Sequence, residues 1–266
     1  MTAAADLAAA SATTSRRRVR AALASTALLL GGAGLTGCTA PASTGSTAAA
    51  GPSSSTVSTE GPWSTADGVQ RPDIAFALPP AGSSVVVFGD SYTEATGATQ
   101  PRAGYAAQLA AQFDWAADVE GVGGTGFVAR GAVDADYLDR LAGLTLQTPA
   151  LVVVQGGLND ALAGVSEQDE LAAARQVLAL LRHRLPDTEV VVLGPPAVQV
   201  VDAAVVSGVD RALRQASLES GAPYLSPLAE GWAVERYTTA DGLHPDDRGH
   251  EYLAGRVASA LRHLAH

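Results

Sequence analysis

Three short runs of apolar, mostly branched residues stand out along the chain: Val85 to Phe88 in "SSVVVFGDS", Leu151 to Gln155 in "LVVVQGG", and Glu189 to Gly194 in "EVVVLG". None alternates with polar positions, which is the pattern of strands buried on both faces of a sheet. Weaker strands are expected around Ala116 to Val119 and at Pro223 to Leu225. Elsewhere apolar residues recur at three- and four-residue steps. Leu171, Ala174, Leu178, Leu181 and Leu185 make one helical stripe. Leu253, Val257, Leu261 and Leu264 make another, opening on Asp246 and Asp247, where a helix dipole favours acids. Strand alternating with helix predicts an α/β domain whose parallel sheet is covered on both sides. Ligands in such domains collect beyond the carboxyl ends of the strands.

The pattern disappears towards the N-terminus. From Thr39 to about Thr65 the chain is largely Ala, Ser, Thr, Gly and Pro, a mixture that buries too little apolar surface to offset its chain entropy. Residues 38–69 therefore read as a flexible tether and 70–266 as the folded domain. Ahead of the tether a basic "SRRRVR" leads into an apolar stretch too short and glycine-rich for a membrane span, ending Leu35-Thr36-Gly37-Cys38. This resembles a bacterial lipobox, in which the cysteine is lipidated and becomes the mature N-terminus. Residues 1–37 are then a lipoprotein signal, and the protein is exported and held at the outer face of the cell membrane by a lipid on Cys38. A plain secretory signal with a chance cysteine, giving a secreted protein, is the alternative, and the arginine run leaves the export route open.

Charge and cysteine usage narrow the partners. Every one of the 17 basic residues is arginine, and with 27 acidic residues the formal net charge is -10. Residues 1–37 carry four arginines and Asp6, so the remainder stands at -13. Such a surface excludes nucleic-acid binding and has no attraction to anionic lipid, which leaves the lipid on Cys38 as the membrane attachment. Cys38 is the one cysteine in the chain, so it forms neither an intramolecular disulfide nor part of a cysteine metal cluster.

The strand ends carry the candidate chemistry. "GDS" with Ser91 follows the first strand, "GVGGTG" (Gly121 to Gly126) the second, and "GGLND" with Asn159 and Asp160 the third. "DGLH", with Asp241 and His244, lies in the loop before the last helix. A serine needs a base to act as a nucleophile, a histidine suits that task, and a carboxylate on the other ring nitrogen fixes the tautomer. Asp241, three residues before His244, can fold back onto it. The oxyanion formed by attack needs preorganised donors, which the Ser91 and Gly124 amides and the Asn159 side chain can supply.

Together "FGDSY", "GVGGTG", "GGLND" and "DGLHP" resemble the four sequence blocks of the SGNH/GDSL hydrolase family, in order, from about Val85 to the end of the chain. The resemblance implies a flavodoxin-like three-layer sandwich around a parallel five-stranded sheet, and hydrolysis of esters or thioesters. It implies Ser91 as nucleophile, Asp241 and His244 completing the triad, and Ser91, Gly124 and Asn159 forming the oxyanion hole. The second block departs from the common pattern, with Val119 where asparagine is usual and Gly123 where serine is common. Because the donor there is a backbone amide, neither departure removes it. No metal or organic cofactor is implied.

These residues predict a serine esterase for short-chain acyl or O-acetyl glycan esters, its partner a small ester or an acylated glycan. An acyltransferase, or a non-catalytic binding lipoprotein, could share the fold. A dinucleotide site at Gly121, Gly123 and Gly126 is the rival from another class, but "FVARGAVD" is a poor helix start and no acidic residue follows at the ribose-binding distance. Asp90 and Asp160 read as local hydrogen-bonding residues, and His250 as a polar surface position. Asp241, His244 and His250 match no common zinc spacing. Trp232 and Tyr237 fit either a pocket wall or the core.

Overall fold

The computed structural model describes Val69–Gln70 and residues 76–266 except Leu146. Cys38, the signal segment and all but the last residue of the tether lie outside the described residues.

Strands β1 (Val69–Gln70), β2 (Ser84–Gly89), β3 (Ala116–Gly121), β4 (Leu151–Gln155), β5 (Glu189–Leu193) and β6 (Tyr224–Leu225) form one sheet in the order β1-β6-β5-β4-β2-β3. Strands β2 to β6 are all parallel, the arrangement expected, and the two residues of β1 add an antiparallel edge on β6, with Val69 opposite Leu225. The unbroken apolar runs fall where burial is complete: β4 is buried along its whole length and β2 from Val85 onward. β3 is the opposite edge and largely exposed, which is why its sequence signal is weak.

Helices α1 (Tyr105–Phe113) and α6 (Asp247–Leu264) pack together, while α4 (Glu167–Arg184) packs on both α2 (Tyr137–Gly143) and α5 (Ala203–Ser220), and the short α3 (Leu158–Leu162) lies against α5. Right-handed crossovers put α1 with α6 on one face of the sheet and the others on the opposite face, giving three layers. The stripe on α4 buries Ala174, Leu178 and Leu181, and that on α6 buries Leu253, Val257, Leu261 and Leu264. Asp246 caps α6 by accepting the Gly249 amide at 2.9 Å. From β2 the chain adds β3 on one side and β4, β5 and β6 on the other, so the carboxyl ends of the parallel β2 and β4 open a crevice at the switch point of the sheet. Ser91 follows β2, and Asn159 follows β4.

Candidate active site

The turn after β2 is shaped by lack of room. A Cβ on Gly89 would lie 2.6 Å from Gln155 Oε1 and 2.8 Å from the Gln155 carbonyl, so only glycine lets the strand end this close to β4. Gln155 Oε1 then accepts the Thr93 hydroxyl at 2.9 Å, and Thr93 also meets the Tyr105 hydroxyl at 3.0 Å. Asp90 accepts the Tyr92 amide at 2.9 Å through Oδ1, while its buried Oδ2 has no partner among the described residues. Burial pushes the Asp90 carboxyl up to about 7, against the opposing hydrogen bonds from Tyr92 and Gln155. Asp90 is thus a local hydrogen-bonding residue, and more deeply desolvated than its sequence position suggests.

This turn sets Ser91, 8% exposed, against the last loop. His244 Nε2 stands 3.0 Å from Ser91 Oγ, and His244 Nδ1 stands 2.7 Å from Asp241 Oδ2. The carboxylate fixes Nδ1 as the protonated nitrogen, leaving the Nε2 lone pair towards the serine hydroxyl. Asp241 Oδ1 accepts the amides of Leu243 and His244 at 2.8 and 3.0 Å, folding the motif back on itself as its three-residue spacing allows. Although desolvation opposes it, the bonds from His244, Leu243 and Thr239 hold the Asp241 carboxyl well below the usual range. The Tyr92 hydroxyl donates to the Leu243 carbonyl at 2.7 Å, tying the loop to the residue after Ser91.

The glycine-rich loop after β3 turns at Gly124, whose φ of 78° is a left-handed conformation that a side chain resists. Neither the Gly124 nor the Ser91 amide has an acceptor among the described residues. The Gly123 amide, in contrast, is held by Glu94 Oε2 at 2.9 Å, which distinguishes Gly124 from its neighbour as a donor. Asn159 Nδ2 donates one hydrogen to the Thr125 carbonyl at 2.9 Å and has a second to give. Asp160 accepts the amides of Phe127, Val128 and Ala129 at 3.0, 2.8 and 2.7 Å, so it organises this loop as a network residue. Burial nonetheless raises its carboxyl, because desolvation outweighs those three bonds.

Other sequence readings change. His250 is buried rather than a surface position: Nδ1 accepts the Tyr105 amide at 3.2 Å, which assigns the proton to Nε2, 3.1 Å from the Thr96 carbonyl. A stapled histidine of this kind joins the loop after Ser91 to α1 and α6. Among the described residues no group of three His, Cys, Asp or Glu side chains is arranged to hold a metal. Trp232 is buried with its indole donating to Glu230 at 2.6 Å, and the Tyr237 ring lies 5.5 Å from that of Tyr252, so both pack the fold instead of walling a pocket. No α-helix follows Gly126 until Tyr137, which removes the helix N-terminus that a dinucleotide site needs. Sequence reasoning missed Arg140, whose guanidinium from α2 donates to the carbonyls of Gly89 and Glu120, each at 2.7 Å, and to Thr125 Oγ1 at 2.8 Å. Nothing in a lone mid-helix arginine signals that reach.

The chain matches the model of the GDSL-like lipase/acylhydrolase family over residues 87–252. It is 33% identical over 186 residues to a GDSL lipase of Mycobacterium tuberculosis, covering 66% of this chain and 80% of that protein. Among solved structures, that of TesA superposes with a TM-score of 0.56 at 23% identity, over 68% of this chain and 99% of that one. A family two carbohydrate esterase from Clostridium thermocellum in complex with cellohexaose gives a TM-score of 0.54 at 19% identity, over 71% of this chain and 66% of that one. At these identities the structural likenesses establish a shared fold.

Proposed function

Because the chain belongs to the GDSL-like lipase/acylhydrolase family and is a serine ester hydrolase, we propose that it works through an acyl-enzyme on Ser91, with short-chain or O-acetyl esters as substrates. The observation that carries this reading is the continuous line from Asp241 through His244 to Ser91, with bonds of 2.7 and 3.0 Å.

In the proposed sequence, Ser91 Oγ attacks the ester carbonyl as its proton passes to His244 Nε2. Asp241 stabilises the imidazolium and holds its orientation without taking the proton. The negative charge on the carbonyl oxygen is met by the free amides of Ser91 and Gly124 and by the remaining Asn159 hydrogen. His244 returns its proton to the leaving alkoxide, giving the alcohol and an acyl-enzyme. It then takes a proton from water, which attacks the acyl carbonyl, and returns that proton to Ser91 Oγ as the acyl–oxygen bond breaks, releasing the acid and restoring the serine hydroxyl.

Short acyl groups on small alcohols or glycans are favoured because, among the described residues, no long helical insertion stands between the strands and helices of the sandwich to cover a long chain. That a carbohydrate esterase shares the fold is consistent with a glycan acetate as substrate. We further read Cys38 as the lipid anchor of an exported enzyme; labelling by a fatty-acid analogue in wild-type but not Cys38→Ala cells is the expected outcome.

The test is hydrolysis of p-nitrophenyl acetate by the purified full-length chain beside Ser91→Ala. Activity abolished in a folded variant is expected. Activity that survives the substitution refutes the Ser91 route, and a rate profile rising from acetyl to palmitoyl esters refutes the short-chain preference.

A further inference from the structure

Glu94 is exposed and stands three residues after the nucleophile. Its Oε2 accepts the Gly123 amide at 2.9 Å and faces the Thr96 hydroxyl at 3.4 Å. A Cβ on Gly123 would lie 2.7 Å from that oxygen and 3.6 Å from Ser91 Cβ, so the carboxylate and the nucleophile's Cβ are separated by no more than those two distances together. Glu94 forms no ion pair among the described residues. Arg140, the guanidinium that feels its charge, directs its hydrogen bonds to two carbonyls and a hydroxyl instead. A carboxylate without an ion-pair partner therefore stands beside Ser91.

We propose that Glu94 is a positioning and specificity residue of this site: its carboxylate fixes the Gly123 amide so that Gly124 is the one left free, and it repels acyl groups bearing a negative charge. The substrates selected are then neutral esters. This rests on the esterase reading of Ser91.

The two roles separate by chemistry. Glu94→Gln keeps an oxygen that can accept the Gly123 amide but loses the charge; Glu94→Ala loses both. Two full charges about 6 Å apart in a partly solvated site correspond to about a tenfold effect on kcat/KM. The charge also opposes the developing oxyanion, so the ratio between substrates isolates selection better than any absolute rate.

The experiment compares p-nitrophenyl acetate with the p-nitrophenyl monoester of succinate, whose acyl group carries a carboxylate, on wild type and both variants at low salt. The succinyl-to-acetyl ratio of kcat/KM is expected to rise about tenfold in both variants, and the wild-type ratio is expected to rise with added salt. In Glu94→Ala, kcat on acetate is expected about tenfold below that of Glu94→Gln with KM little changed. A ratio within about twofold of wild type in Glu94→Gln overturns the charge selection. Equal kcat values in the two variants overturn the positioning role. If wild type cleaves no ester, the esterase reading fails by itself. Ser91 labelling by a neutral and a carboxylate-bearing fluorophosphonate then measures the same ratio in wild type and Glu94→Gln, and an unchanged ratio refutes the proposal.

Discussion

The guanidinium of Arg140 donates to the Gly89 carbonyl at 2.7 Å, two residues before Ser91, while its other bonds reach Glu120 and Thr125 around the glycine loop. It also lies 4.3 Å over the Phe88 ring. One side chain thus sets the turn that carries Ser91 relative to the loop that carries Gly124. A lysine cannot reproduce this fork. Arg140→Lys is expected to lower kcat by about 10- to 100-fold with little change in KM for a small ester, as misplacement of catalytic groups does. Steady-state kinetics on p-nitrophenyl acetate, with circular dichroism to verify folding, checks this.

Asn159→Ala should be costly in turnover rather than in binding. A donor that acts on the oxyanion contributes about 10²- to 10³-fold to kcat. The Thr125 carbonyl also loses its partner, so some loosening of the glycine loop is expected alongside. An unchanged kcat would remove Asn159 from the oxyanion site.

Asp241 is more open than the histidine it pairs with, with 47% of its side chain exposed against 20% for His244. Where such a carboxylate is buried, replacing it by the amide costs about 10⁴-fold in kcat. Water can partly substitute at this exposed position, so Asp241→Asn should lose less, about 10²-fold. A loss as large as that from Ser91→Ala would show that solvent gives no compensation.

Asp90 supplies a pH dependence of stability with a definite sign. The unfolded carboxyl ionises from about 4 upward, but burial holds the folded one neutral until about 7. Between those values the native state binds the extra proton, so this residue's contribution to stability falls as pH rises and levels off above 7. Asp90→Asn removes that loss. Its stability relative to wild type should therefore climb from pH 4 to pH 7 and then plateau, as measured by urea unfolding at each pH. A flat difference across that range would contradict the buried, displaced carboxyl.

Much of this was legible in the sequence because the strongest signals come from the most buried parts. Unbroken Val-rich runs can be satisfied only inside a sheet, so β2, β4 and β5 announced themselves, while exposed β3 and two-residue β6 were faint. Ser91, Asn159, Asp241 and His244 could be singled out as candidates because each sits in a short polar segment at a strand end or in the last loop. Their mutual distances were not legible, since they depend on which strand neighbours which. His250 was misread because nothing local distinguishes a buried ring held by two backbone groups from an exposed one on the same helix. Arg140, Gln155 and Glu94 were missed for the same reason: their partners are backbone groups and distant side chains, which leave no spacing in the chain.

The Asp241–His244 loop is closed largely by its own bonds: the Thr239 amide to the His244 carbonyl at 2.8 Å, and the Asp241 carboxylate to two amides of the same turn. Asp241 and His244 therefore form a unit held mostly by bonds within their own loop. Only its docking against the nucleophile turn has to be kept, through the Tyr92 hydroxyl on Leu243 among other contacts. A change of length in a neighbouring loop can then reshape the crevice while leaving the Asp241–His244 pairing as it is.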